Sequence, residues 1–274
     1  MTISSRNKIR LLFILFSFII LIFAFFSYIS AKIGASYFFL PENLAEMERS
    51  HSIFFSYSSQ SVASSALIFS LLSFTFSIYV YFAFRKIQVS EIFFLEIFLF
   101  SINWEAIRLL LPLFNFSPLI MPSLSSISRI LYFFRFLSLF SLLGMALFSV
   151  KTITWQSSFI IFLLFFLSLM LSMIEPMDST KLNYFFMAGK PLIKTYLTMF
   201  LFISLFLIST AFFSYFYDSI PERLCIIGAF ISLILGYASL LFSYSYLLLF
   251  LGTSLFTYGL FKLVKSIHSI YLWQ

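Results

Sequence analysis

The stretch LLFILFSFIILIFAFFSYISA, residues 11–31, carries no charged side chain over 21 positions. At a rise of 1.5 Å per residue a helix of that length spans about 30 Å, the thickness of a bilayer's hydrocarbon core. Backbone polar groups in lipid are satisfied only within helices or closed barrels. Barrel strands alternate polar and apolar residues with a period of two, and this run does not alternate. The stretch therefore reads as a transmembrane helix. Arg6, Lys8 and Arg10 precede it, as they would a secretory signal. The apolar part of such signals is shorter, about 7–15 residues, and this run lacks a clear small-x-small cleavage site. An uncleaved signal-anchor helix is expected; cleavage would leave seven helices and an external N-terminus.

The same pattern recurs along the chain. Further spans are expected at 61–84, 92–116, 127–150, 159–174 and 195–217. Residues 224–261 form a near-continuous apolar stretch of 38 residues, too long for one crossing and right for two. Ser243-Tyr244-Ser245 is the expected turn, giving spans at 224–242 and 246–261. The fold class is thus all-α, a polytopic transmembrane bundle of eight helices in a single integral membrane domain, 1–274. Two polar stretches, 32–60 and 175–194, are too short to hold a core of their own. Within the first, residues 41–49 (PENLAEMER) read as a short surface helix, with Pro41 in its first turn and acids near its start. Residues 262–273 place Leu263, Val264, Ile267, Ile270 and Tyr271 on one helical face and Lys262, Lys265 and His268 on the other. That pattern predicts an amphipathic tail lying at the membrane surface, with Trp273 at head-group level.

Composition agrees. Of 274 residues, 62% are apolar and 10% charged, with a mean hydropathy of +1.06. Soluble domains carry about 25% charged residues, because their surfaces face water. The 43 phenylalanines read as lipid-facing substitutes for leucine. A net charge of +7 does not imply nucleic acid, since the basic residues stand singly at the ends of apolar runs. With the N-terminus inside, Arg6, Lys8, Arg10, Arg85, Lys86, Lys151, Arg223, Lys262 and Lys265 are cytoplasmic. Lys32, Arg49, Lys181, Lys190 and Lys194 are then external. The bias predicts a cell-membrane protein with both termini cytoplasmic.

Charges within spans are costly, so each marks a candidate site. The third span carries Glu96, Asn103, Glu105 and Arg108, and the fourth Arg129 and Arg135. Glu105 lies nine residues, about 13 Å, below the expected outer end of its helix, and Arg135 about 12 Å below that of the next. Consecutive antiparallel helices are usually neighbours. A Glu105–Arg135 ion pair is therefore expected, with Arg108, three residues on, sharing the carboxylate. It serves either as a lock between two helices or as a ligand or proton site. Glu96 is expected to reach the cytoplasmic interface; with Asn103 on the same face it could instead line a half-channel. Arg129, at the outer edge, is expected to snorkel to head groups. Gly228, Ser232 and Gly236, and likewise Ala66, Ser70, Ser73 and Ser77, form small-residue faces suited to close helix packing or to oligomerisation.

No HExxH, GxSxG or GxxxxGK[ST] motif occurs. His51 and His268 fall on opposite sides of the membrane in this topology, Cys225 is the sole cysteine, and no metal or cofactor site is expected. The sequence leans away from an enzyme. It points to a non-enzymatic sensing or binding component, or a subunit of a membrane complex, with the lipid bilayer and a membrane-protein partner or a second copy as contacts. A small permease or channel subunit for an ion or small molecule is the alternative.

Overall fold

The computed structural model describes residues 3–33, 58–85, 90–110, 121–148, 157–174 and 220–272. These form seven α-helices and one 3₁₀ helix: α1 (Ile3–Ile33), α2 (Ser59–Ala83), α3 (Ser90–Asn103) leading into the 3₁₀ helix (Trp104–Leu109), α4 (Met121–Phe148), α5 (Ser157–Met173), α6 (Ile220–Leu241) and α7 (Tyr246–Leu272). Stretches within four of them, Asn7–Ser30, Ser59–Ala83, Ser125–Ala146 and Tyr246–Ser269, are long and apolar enough to cross a membrane; Phe159–Met173 and Cys225–Leu241 are shorter apolar helices. The chain is a multi-pass helical membrane protein. The expected span at 195–217 and the short helix at 41–49 lie outside the described residues.

The distribution of side chains is that of a protein whose solvent is hydrocarbon. Leu15, Phe18, Ile22 and Phe26 of α1 and Phe162, Phe166 and Met170 of α5 are exposed, while Ser17, Ser65, Ser70, Ser73, Ser138 and Ser168 are buried. Lipid exacts no penalty for apolar exposure, and small residues let helix backbones approach closely. On α2 the face formed by Ala66, Ser70, Ser73 and Ser77 is buried throughout, and Ser73 Oγ donates to the Leu99 carbonyl of α3 at 2.5 Å. Phenylalanine divides between two roles. It faces outward on α1 and α5, but Phe69, Phe98 and Phe256 are buried at the centre. There Phe69 and Phe98 each stand edge to face with Tyr237 at 5.6 Å, and each lies 6.1 Å from Phe256.

α6 and α7 form the tightest hairpin, joined at Ser243–Ser245. Ser245 begins α7, its hydroxyl accepting from Leu248 N at 3.4 Å. Glycines from both helices permit the approach. A Cβ at Gly259 would stand 2.5 Å from Leu233 N, and one at Gly236 would overlap the Phe256 backbone; Gly252 faces Leu240 in the same way. Ser232, also on α6, is buried. Gly228 differs: it is exposed, with open space where a Cβ would stand. The close-packed strip therefore runs through Gly236, Gly252 and Gly259 rather than through Gly228.

Two expectations about helix ends are corrected. α7 continues unbroken to Leu272, so 262–272 is its last three turns and not a separate surface helix. Leu263, Val264 and Ile267 are buried against the bundle, and His268 stands edge-on to Phe84 at 5.5 Å. The third expected span is not one continuous α-helix, because it tightens to 3₁₀ at Trp104.

Hydrogen bonds between helix ends fix the two ends of the bundle. At one, Asn7 Nδ2 of α1 donates to the Arg85 carbonyl after α2 at 3.1 Å. At the other, Ser58 N, before α2, donates to the Tyr244 carbonyl in the α6–α7 turn at 2.8 Å.

Candidate functional site

Two buried ionic layers are carried by α3 and its 3₁₀ extension. Over Trp104–Leu109 the helix tightens to 3₁₀, with hydrogen bonds closed over three residues rather than four. Leu110 N accordingly bonds Ile107 O, three residues back, at 2.9 Å. In a 3₁₀ helix side chains at i and i+3 eclipse, which brings them closer than the neighbouring positions they hold on an α-helix. Glu105 and Arg108 stand in that relation, and Arg108 Nε lies 2.9 Å from Glu105 Oε2.

Arg135 of α4 completes the layer. Its Nε donates to Glu105 Oε1 at 2.5 Å and its Nη2 to Oε2 at 2.9 Å, a two-pronged pairing that matches the planar guanidinium to the carboxylate. The guanidinium carbon also lies 5.7 Å from the centroid of the Tyr132 ring. Glu105, Arg108 and Arg135 are each no more than 5% exposed. One carboxylate and two guanidiniums leave a formal charge of +1. Arg108 meets two neutral acceptors on other helices: Nη2 donates to Ser65 Oγ of α2 at 3.0 Å, and Nη1 to the Leu241 carbonyl at 3.5 Å. Leu241 is the last residue of α6. Carbonyls at a helix C-terminus lack partners within the helix and carry the negative end of its dipole, which suits a cation. Close by, Ser138 Oγ and Tyr237 Oη share a hydrogen bond of 2.7 Å between α4 and α6. One charge cluster thus ties α2, α4 and α6 to the end of α3.

The second layer corrects the expectation for Glu96. It does not reach an interface: it is buried, and its Oε1 lies 2.6 Å from Arg10 Nε of α1. Arg10 in turn donates from Nη1 to the Phe84 carbonyl at the end of α2, at 2.9 Å. Arg10 had read as an ordinary topology charge, but it is a buried ion-pair partner only 1% exposed. Between the layers Asn103 is buried on the α1 side and donates from Nδ2 to the Ser17 carbonyl at 3.4 Å. Neighbouring Trp104 stacks on Phe134 of α4 at 4.4 Å.

The structure therefore brings Glu105, Arg108 and Arg135 together, sets Asn103 against α1, and places Glu96 in a separate pair about 13 Å away along the helix. Arg10, Ser65, Tyr237 and the Leu241 carbonyl were not foreseen. A depth comparison could have found Arg10, which lies near the start of α1 as Glu96 lies near the start of α3. Chemically, two layers of fixed charge are suited to clamping helices together. Among the described residues no group of three His, Cys, Asp or Glu side chains is placed to hold a metal ion. No protein-family model matches the chain, and no curated protein or solved structure matches it.

Proposed function

We propose that this chain is a non-enzymatic membrane component, one that binds or senses a partner or serves as a subunit of a membrane complex. The observation that carries the reading is the engagement of Glu96 and Glu105. Each is buried and faces an arginine from another helix. A carboxylate that carries protons or acts as acid or base must change protonation state, and a guanidinium held against it opposes that change. The inner charges serve better as architecture than as machinery.

Eight crossings, with both termini cytoplasmic, are part of this reading. α3 and its 3₁₀ extension together reach about 33 Å, enough to cross despite their charges. α5 and α6 run in the same direction: α5 lies antiparallel to α4, with Met173 beside Arg129, and α6 ends beside Arg108. Two parallel helices require an odd number of crossings between them, which the eight-span count supplies. A membrane-protein partner or a second copy of the chain is the expected contact.

A specific observation favours a second reading, a small permease or channel subunit. Asn103 Oδ1, Ser17 Oγ and Trp104 Nε1 are buried without a hydrogen-bond partner between the two ionic layers. Such groups are usually satisfied by water, and a file of waters there would make a path. Reconstituted vesicles separate the two. The first reading predicts proton, potassium and chloride fluxes no greater than those of protein-free vesicles. A flux above that level, abolished in Glu105→Gln, would overturn it.

A further inference from the structure

Arg129, within the apolar part of α4, joins neither ionic layer. It lies on α4 six residues, about 9 Å, before Arg135. Its Nε is buried with no hydrogen-bond partner, and no carboxylate among the described residues pairs with it. The side chain lines a cavity of about 390 Å³ between α4 and α5, otherwise walled chiefly by Ile130, Phe133, Phe165, Leu169 and Met173. Ile130, Phe165, Leu169 and Met173 are each 37–54% exposed, so the wall opens sideways, toward the bilayer. Phe165 also borders a second, chiefly apolar cavity of about 210 Å³, which lies among α1, α3, α4 and α5 and is lined by Phe13, Phe94, Leu137, Ser141 and Ile161. Along α5 the first cavity runs from Phe165 to Met173, eight residues or about 12 Å. That is most of one leaflet of a hydrocarbon core about 30 Å thick. The α4–α5 furrow thus has a charged end and a chiefly apolar length that suits the upper part of an acyl chain.

We propose that the α4–α5 furrow is a binding site for an anionic phospholipid, its phosphate on Arg129 and one acyl chain lying along Phe133, Phe165 and Leu169. Charge complementarity selects the head group. The Nε of Arg129 is a buried donor without an acceptor among the described residues, and the neighbouring Glu105–Arg108–Arg135 cluster adds a further net positive charge. A phosphate satisfies a guanidinium by paired hydrogen bonds, and the lipid's chain replaces bilayer that the half-open wall would otherwise meet. Simple snorkelling of Arg129 would need no furrow and would show no preference among bound lipids. The site does not depend on whether the ionic layers are sealed, so it stands or falls separately from the function proposed above.

Native mass spectrometry of the purified full chain, equilibrated with equal amounts of phosphatidylglycerol and phosphatidylcholine, tests it. The wild type should retain phosphatidylglycerol several-fold over phosphatidylcholine. Arg129→Gln should bring that ratio close to one, and Arg129→Lys should keep much of it. Leu169→Trp, at a half-exposed position in the wall, should remove the retained lipid of both kinds while leaving Arg129 in place. Absence of a preference in the wild type, or its survival in Arg129→Gln, would overturn the proposal. So would undiminished lipid in Leu169→Trp, which needs no change at Arg129. Displacement of the lipid by millimolar inorganic phosphate would identify the site as one for a free anion and would also overturn it.

Discussion

Replacing Glu105 with glutamine keeps the shape of the side chain and removes the one negative charge between two buried guanidiniums. Three ion contacts depend on that charge: two to Arg135, at 2.5 and 2.9 Å, and one to Arg108, at 2.9 Å. Breaking a buried pair by neutralising one partner costs about 3–5 kcal/mol, because the other charge is left without compensation. Here two cations are left, which pushes toward the upper end. The glutamine carbonyl can still accept from one of them, and a hydrogen bond to a charged group returns about 1.5–3 kcal/mol. Ser65 and the end of α6 continue to hold Arg108. The net expectation is a loss of about 3 kcal/mol. At about 2–4 °C per kcal/mol for chains approaching this size, that lowers the melting temperature by on the order of 10 °C. Thermal unfolding in detergent, followed by size-exclusion retention, reads the shift. Arg135→Gln should cost a similar amount. The double variant Glu105→Gln/Arg135→Gln should lose clearly less than the sum of the singles, because each single strands a charge that the other removes. Both singles remaining as stable as the wild type would refute the buried cluster. Additive losses would show that the residues act independently.

Three further outcomes follow from the geometry and use the same unfolding measurement. Glu96→Gln and Arg10→Gln should each destabilise by about 2–4 kcal/mol, with a favourable coupling between them; the value is set a little lower because Arg10 keeps the Phe84 carbonyl as acceptor. Gly236→Ala should cost about 1–3 kcal/mol by driving a methyl group into the Phe256 backbone, whereas Gly228→Ala, with open space at its Cβ, should stay within about 0.5 kcal/mol of the wild type. Ser65→Ala removes an acceptor from a buried cation and should cost about 1.5–3 kcal/mol, while Ser64→Ala, whose hydroxyl bonds only within its own helix, should be close to neutral.

Much of this architecture was legible in the residues. Uninterrupted apolar runs locate membrane helices because lipid leaves little room for another backbone conformation. The Glu105–Arg135 contact could be read from depth alone, since α3 and α4 are consecutive and antiparallel and both residues lie about the same distance from one end. Arg10 was harder. A cation at the edge of an apolar run has the same appearance whether it meets head groups or a buried glutamate two helices away. The last turns of α7 carried the same ambiguity: Leu263, Val264 and Ile267 make an apolar stripe that could face lipid or protein, and they face protein. Among the glycines, spacing picked out Gly228 with Gly236, yet the close approach is made by Gly236 with Gly252 and Gly259. Spacing within one helix does not reveal which face the neighbour covers. The tightening to 3₁₀ that eclipses Glu105 with Arg108 depends on packing that spacing along the third span does not disclose.

The central claim is that the polar residues of α3 are enclosed within the bundle and engaged by other helices. Cysteine accessibility at position 103 tests it most directly, in a Cys225→Ser background that removes the native thiol. Asn103 is fully buried, whereas Tyr244, in the α6–α7 turn, is 44% exposed and serves as the accessible control. Intact cells expressing Tyr244→Cys should react with a membrane-impermeant maleimide, and cells expressing Asn103→Cys should react only after denaturation. Rapid labelling of Asn103→Cys in intact cells would mean that water reaches the space between the ionic layers, and would contradict the account.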